Sequence, residues 1–481
     1  MYTRYDPDYR FTDNYFQEKM LLKSIRFSLP SFQFCGLLAA LGGSFLMGGS
    51  SREDVQSIAI LNPLMILFCG AAFSTLREEH WRGRAGLLWV IGLLFLLVTL
   101  YVVPLPLPVE ANFIGGDDVA DIRAAADITK APQTLALAPY LAKQSLFFLF
   151  APLAVLLFAM QLDRADMRLT LPLLIILGTI SGVIGVLQLA GGPSGPFYFY
   201  RITNNSNAVG LFANRNHAAI LLACLFPMLA LFALRSSAVN GGSTRIRRLI
   251  ALSIAITVVP LILVTGSRSG LLAAVIGLVG GLLLYTSRIS TSAEIRPIKS
   301  VTAILMATTL LCLVFVTIYF SRAEAIERIF ADPSAANDRA AFWISTPKLF
   351  WLYFPFGFGS GSFVPAFQVE ETLFLLTNIY VNRLHNDWLE TALTFGVPGM
   401  LLLTSATAYY VRRTYLLWTR MEGARSAVAM GRMASIIIAI FAIASMSDYP
   451  LRTPAMMGFA ALVLVWFIEA RREPAAAINK S

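Results

Sequence analysis

From end to end the chain is divided into apolar blocks of about 17 to 25 residues, each long enough to cross about 30 Å of hydrocarbon as a helix. About twelve can be read, over 32–49, 57–75, 85–103, 140–160, 169–190, 213–234, 249–266, 269–286, 300–320, 387–411, 433–447 and 454–470. Backbone amides inside a bilayer must be satisfied within the segment, so blocks of this length predict an all-α fold. Composition points the same way: 57% of the 481 residues are hydrophobic and 14% charged, the balance of a polytopic membrane protein and not of a soluble multi-domain enzyme.

Residues 1–31 are charged and lack the compact basic, apolar and cleavage regions of a secretory signal, so this leader is expected to stay attached. Arginine and lysine set the expected orientation. With the N-terminus in the cytoplasm, about 25 of the 38 basic residues fall inside, among them Arg77, Arg82, Arg84, Arg164, Arg168, Arg235, Arg245, Arg247 and Arg248. Both termini are then cytoplasmic. The chain divides into a cytoplasmic segment 1–31, nine spans over 32–320 with an outer segment at 104–139, and a long periplasmic loop at 321–386 between spans 9 and 10. Three spans over 387–470 and a cytoplasmic tail at 471–481 complete it. The net charge of +10 is accounted for mostly by this asymmetry, and no basic face suited to nucleic acid is found. Cys35, Cys69, Cys224 and Cys312 all lie in apolar blocks at unrelated spacings, which indicates packing and neither a disulfide framework nor a zinc site.

The outer segment at 104–139 is acidic and turn-rich, with a short helix expected around 119–126. The loop at 321–386 holds two amphipathic pieces, "AEAIERIF" and "RAAFWISTPKLFWLYF", followed by "GFGSGSF" from Gly357. These glycines follow no strand and open no clear helix, so they read as a turn needing positive φ and not as a nucleotide loop. Phe342, Trp343, Trp351 and Tyr353 read either as a platform for sugar rings or, in the favoured reading, as an interfacial aromatic belt.

Three charges stand where a membrane protein does not place them without cause. Arg268, in "LVTGSRSGLLAAV", sits between two apolar blocks with almost no loop, and Arg215, in "GLFANRNHAAILL", opens the sixth block beside Asn214, Asn216 and His217. Each arginine on its own can snorkel to lipid phosphate. Two of them at helix starts on one predicted side also suit a shared anion site, because guanidinium forks and helix N-termini both bind phosphate. His385, in "NRLHNDWLETALTFGVPG", precedes Asn386 and Asp387, either of which can cap the tenth span. Asp387 and Glu390 have the spacing of a capping box and read as caps. A ring beside a helix N-terminus meets positive potential, which favours a neutral, proton-accepting imidazole, so His385 is either a catalytic base or a structural hydrogen-bonding residue. His80 and His217 offer no metal-binding spacing, and no metal or cofactor is expected.

In this order the motifs "FANRNHAAILL", "TGSRSG", "RAAFW" followed by "FGFGSGSF", and "LHNDWLETALTFGVPG" resemble the bacterial O-antigen ligase and O-antigen polymerase family, over roughly 170–450. The resemblance implies a helical inner-membrane glycosyltransferase using a polyprenyl-diphosphate-linked glycan (undecaprenyl in bacteria) at the periplasmic face. The acceptor would be a lipid A-core sugar or a residue of another protein for a ligase, or the end of a second carrier-linked glycan for a polymerase. On the same basis Arg215 and Arg268 would contact the diphosphate, His385 would activate the acceptor hydroxyl, and Arg339 and Trp343 match the family's Arg and Trp at the start of the loop segment. Asn214, Asn216 and Asn386 complete the expected substrate-binding set. The chemistry needs one group to take a proton and others to hold charge on the leaving diphosphate, and direct displacement inverts the anomeric centre.

Two other classes compete with this reading. A multi-span transporter or flippase of lipid-linked glycan usually places its site near the bilayer midplane on broken helices, whereas these ionisable residues gather at helix ends. A non-catalytic assembly scaffold has no evident use for the Arg and His set.

Overall fold

The computed structural model describes residues 30–52, 54–82, 84–104, 116–127, 134–235, 241–289, 343, 346–371, 381–420 and 425–469. The expected ninth span at 300–320, Arg339, Phe342, Cys312 and both chain ends lie outside the described residues. Among the described residues the structure is helical and without strands. The helices are α1 (Phe32–Met47), α2 (Gln56–Ser74), α3 (Glu78–Trp81), α4 (Ala85–Leu100), α5 (Gly116–Ala125), α6 (Pro139–Phe148), α7 (Phe150–Ala159) and α8 (Arg164–Gly191). They continue with α9 (Arg215–Leu234), α10 (Gly241–Val264), α11 (Arg268–Ile289), α12 (Thr346–Leu352), α13 (Phe363–Glu370), α14 (Asp387–Thr419), α15 (Arg425–Ala444) and α16 (Pro454–Glu469), with a 3₁₀ turn at Pro450–Arg452.

Eight of these segments are long and apolar enough to cross a membrane by length and composition, α6 and α7 counting as one, and α1, α4 and α16 are shorter apolar helices. The sequence blocks and the helices therefore coincide wherever both can be compared. The block at 140–160 is interrupted at Leu149, where the backbone amide turns to Leu146 and Phe147. The 104–139 segment carries α5 close to the place expected for its short helix.

At the centre stands α9, buried on nearly every side from Asn216 to Leu231. An apolar helix with no polar face belongs in the interior of a bundle, and α8, α10, α11 and α15 surround it. Small residues let α11 approach closely: a Cβ on Gly270 would lie 2.2 Å from Ala219 Cβ, and one on Gly277 would lie 2.4 Å from the Ala223 carbonyl oxygen. Outward-facing Leu67, Trp89, Ile176, Leu283 and Leu401 are exposed, as residues facing lipid would be.

A second apolar cluster, Leu349, Tyr353, Phe358, Phe363, Phe367, Leu384 and Leu393, joins the 346–371 segment to the start of α14. Tyr353 is thus a core residue, neither a belt aromatic nor a sugar platform, because its ring is enclosed by this cluster and stands edge-on to Phe358. Trp351 remains exposed. The glycine stretch also finds its reason here. Gly357 has φ of 80°, and a Cβ on it would lie 2.4 Å from the Leu393 carbonyl oxygen. The loop runs against the backbone of α14, with Phe358 N donating to Leu393 O (3.2 Å) and Gly359 N to Thr394 O (2.9 Å). Those carbonyls lack helical donors because, at the break at Gly396 (φ 53°, ψ −137°), Val397 N turns away to Pro355 O, and because Pro398 has no N–H.

Candidate active site

His385 lies in the short link before α14 with φ of 56°, a left-handed conformation that few non-glycine residues adopt but histidine adopts more often than most. This turn directs its ring at the 445–453 connection between α15 and α16. There His385 Nδ1 sits 3.2 Å from Asp448 Oδ1. Asp448 is fully buried. Burial alone would raise its carboxyl, but the hydrogen bond from His385, the nearby His217 and the Asn216 side chain hold it down at about 2. An ionised carboxylate only accepts hydrogen bonds, so Nδ1 carries the proton and the lone pair of the neutral ring is on Nε2. Such a pair has the arrangement that an oriented base requires.

The neighbouring ring is Tyr449, 4.9 Å from His385 between centroids. Its burial, and then the Asp448 charge, push its phenol up and keep it protonated, and its hydroxyl faces Asn382 and Asn214. On its other side His217 stacks edge-on at 5.3 Å, and Phe212 follows at 6.3 Å. His217 is 1% exposed, and neither of its ring nitrogens has a hydrogen-bond partner. The start of α9, the 381–386 link and the 445–453 connection therefore meet around one tyrosine.

The two arginines lie at adjoining helix starts. Arg215 is the first residue of α9, capped by the Asn214 side chain, which accepts from Asn216 N at 2.8 Å. Arg215 N donates to Asn204 Oδ1 and its guanidinium Nη1 to Asn207 Oδ1, both at 3.0 Å. Arg268 is the first residue of α11 and is exposed. Ser267 caps α11 by accepting from Gly270 N (2.9 Å) and donates its hydroxyl hydrogen to Asn216 Oδ1 (2.7 Å). One asparagine thus ties the two helix N-termini together, while Asp448 Oδ2 is buried without a hydrogen-bond partner among the described residues. Two arginines and two sets of orphan N–H groups make this end of the bundle suited to an anion. At the other end gather Arg168 and Arg235, the latter donating to Arg168 O at 2.6 Å, and the Arg84–Glu469 ion pair.

Around His385 the expected caps are redistributed. Asn386 is the N-cap, its side-chain oxygen accepting from Trp388 N and Leu389 N at 3.1 Å each. That places Glu390 one position past the capping-box site, and it does not reach back to the cap. Instead the buried Glu390 accepts from Leu384 N (3.1 Å) and pairs with Arg383 (3.0 Å) and Arg452 (3.6 Å). Asp387 pairs with Arg452 Nε at 2.8 Å. Both carboxylates are therefore ion-pair partners and not caps. Trp343 donates its indole N–H to Leu384 O at 3.2 Å, beside His385 and partly inside the second cluster. Asp448 and Arg452 escape a sequence reading because "SMSDYPLRTP" looks like an ordinary connecting turn. The available signal was that this turn and His385 fall on the same predicted side.

Among the described residues no group of three or more His, Cys, Asp or Glu side chains is arranged to hold a metal ion. No curated protein matches the chain. A family model described as O-antigen ligase matches residues 252–404, a narrower span than the motifs suggest, which takes in Arg268 and His385 but not Arg215 or Asp448. Over those residues the chain is similar to the O-antigen ligase family.

Proposed function

We propose that this membrane protein is a metal-independent, inverting glycosyltransferase that moves glycan from an undecaprenyl-diphosphate carrier to an acceptor hydroxyl at the periplasmic face of the inner membrane. The acceptor is a lipid A-core sugar or a second carrier-linked glycan, in lipopolysaccharide or exopolysaccharide assembly. The observation that carries the reading is the contact of His385 with the buried Asp448, beside which Tyr449 packs against His385 and against His217 near the start of α9, itself bonded through Asn216 to the start of α11, so that the helix starts bearing Arg215 and Arg268 adjoin the pair.

In this reading the acceptor hydroxyl gives its proton to His385 Nε2 as its oxygen attacks the anomeric carbon. The bond to the carrier diphosphate breaks, and Arg215, Arg268 and the two helix N-termini hold the negative charge that develops there. Asp448 keeps the ring in the required tautomer and stabilises the imidazolium that forms. Trp343 and Asn386 hold the chain on either side of the base. Arg339 is retained as a substrate-binding candidate on the family resemblance.

A deletion strain tests the function. Carrier-linked glycan should accumulate; loss of long glycan from lipopolysaccharide with single units still attached points to polymerisation, and loss of all attached units to ligation. Unchanged carrier-linked and lipopolysaccharide glycans would refute both.

A further inference from the structure

The peptide groups around His385 are held from both sides. Leu384 N donates to Glu390 Oε2 (3.1 Å), Leu384 O accepts from the Trp343 indole (3.2 Å), and Asp387 N donates to Ser445 O (2.8 Å). The left-handed residue thus sits between two anchored neighbours, as is needed for a backbone conformation the side chain itself does not favour.

The Glu390 carboxylate that holds Leu384 N belongs to a four-charge lattice of zero net charge: Arg383 with Glu390 (3.0 Å), and Arg452 with both Glu390 (3.6 Å) and Asp387 (2.8 Å). Three members lie within five residues of His385 along the chain. Arg452 does not. It belongs to the turn that follows Asp448, four residues on, and is the lattice's charged tie between the segment holding the base and the segment holding its carboxylate partner. Trp388 adds a neutral tie of the same kind, its indole donating to Ala442 O at 2.9 Å.

A buried ion lattice is weak evidence for stability, since desolvation of the charges offsets most of their attraction. Its better-attested use is to fix one arrangement among several that apolar packing would accept. Here the arrangement fixed is the separation of two side chains that meet at 3.2 Å across a gap of 63 positions in sequence.

We infer that Arg452 and Glu390 are positioning residues: they clamp the 384–387 link to the 445–452 connection so that His385 and Asp448 keep their contact and Nε2 stays aimed at the acceptor. This rests on the reading of His385 as the base. Neither residue touches the reacting atoms, so their loss should be felt in turnover and not in donor affinity. A displacement of about 1 Å in a reacting group can cost on the order of 100-fold.

The test uses the full-length protein in membranes of the deletion strain. Undecaprenyl-diphosphate-linked glycan extracted from that strain is the donor, and its lipopolysaccharide the acceptor. Arg452→Gln should insert and extract normally, keep KM for the donor within about threefold, and lower kcat by about 10- to 100-fold. Arg452→Lys should recover part of that loss, because it restores the charge without the fork that spans both carboxylates. The double variant Arg452→Gln with Asp387→Asn leaves fewer unpaired buried charges, so it separates misplacement from misfolding: it should fold at least as well as Arg452→Gln and remain slow. Wild-type kcat in Arg452→Gln, or in a well-folded double variant, would overturn the clamp. So would a loss of activity that only tracks the loss of folded protein in both. His385→Ala is run in parallel. If it is inactive while Arg452→Gln turns over normally, the clamp alone is wrong; if it turns over normally, the base assignment fails and the clamp falls with it.

Discussion

Replacing Asp448 with asparagine removes one charge from the pair and almost no volume. The amide can still accept from Nδ1, but it no longer faces the ring with a full negative charge, and its NH₂ group can present a donor that favours the opposite tautomer. The effect on rate follows from the imidazolium formed during transfer. Charges about 4 Å apart at an effective dielectric of about 20 attract by about 4 kcal/mol. Asp448 is fully buried but the His385 side chain is 22% exposed, so solvent screening trims this to about 2–3 kcal/mol. At about 1.4 kcal/mol per decade, kcat should fall by about 30- to 150-fold. The Arg215 and Arg268 end of the site is unchanged, so KM for the carrier-linked donor should move little. The assay is transfer of extracted donor glycan to lipopolysaccharide by purified enzyme in detergent, with the folded fraction measured by size-exclusion chromatography. A monodisperse Asp448→Asn enzyme whose kcat stays within threefold of wild type would refute the claim that this carboxylate supports the base.

The same group makes a stability prediction. Its folded carboxyl is held at about 2 against 3.8 for a free side chain, so the contribution of about 2 kcal/mol is complete above pH about 4 and disappears as pH falls through about 2. The melting temperature of wild type should therefore exceed that of Asp448→Asn at pH 5 and lose that margin toward pH 2; a margin independent of pH would contradict it. Arg268→Lys should lose most activity because the bidentate fork is gone, while chelator leaves the wild-type rate unchanged; a fully active lysine variant, or inhibition reversed by magnesium, would overturn the anion site. Gly396→Ala would push a Cβ to 2.0 Å from Pro355 O at a positive φ, and should cost about 3 kcal/mol or more in detergent melts; an unchanged melt would remove the break in α14. Single cysteines beside Arg215, Arg268 and His385, in a background without the native four, should react with an impermeant reagent from the periplasm; labelling from the cytoplasm at any one would divide the site.

The helices were legible because the bilayer imposes a length and an apolar composition on any segment that crosses it. Their ends were harder to place. The α14 helix runs on past Arg412 and Arg413 to Thr419, beyond the apolar block, and α6 and α7 divide at Leu149, a turn before Pro152, whose ring and missing N–H disrupt the preceding turn. The charges at the helix starts were legible for the complementary reason: Arg215, Arg268 and His385 stand out against apolar sequence. Asp448 was not, since an acid in a short turn is unremarkable until the fold buries it against a histidine far away in sequence. Glu390 was misread through its three-residue spacing from Asp387. Once Asn386 takes the cap, that spacing loses its meaning and the carboxylate is free to join Arg383 and Arg452.

The central claim is that His385 takes the acceptor proton during transfer from a carrier-linked donor. Removing a general base typically costs about 10²- to 10⁴-fold in rate. The most direct measurement is single-turnover transfer by purified His385→Ala, alongside its binding of extracted undecaprenyl-diphosphate-linked glycan. The account predicts normal insertion, donor binding within a few-fold of wild type and a transfer rate down by about 10²- to 10⁴-fold, with donor accumulating in cells that carry the variant. A well-folded His385→Ala enzyme that transfers glycan at a near-normal rate would contradict it.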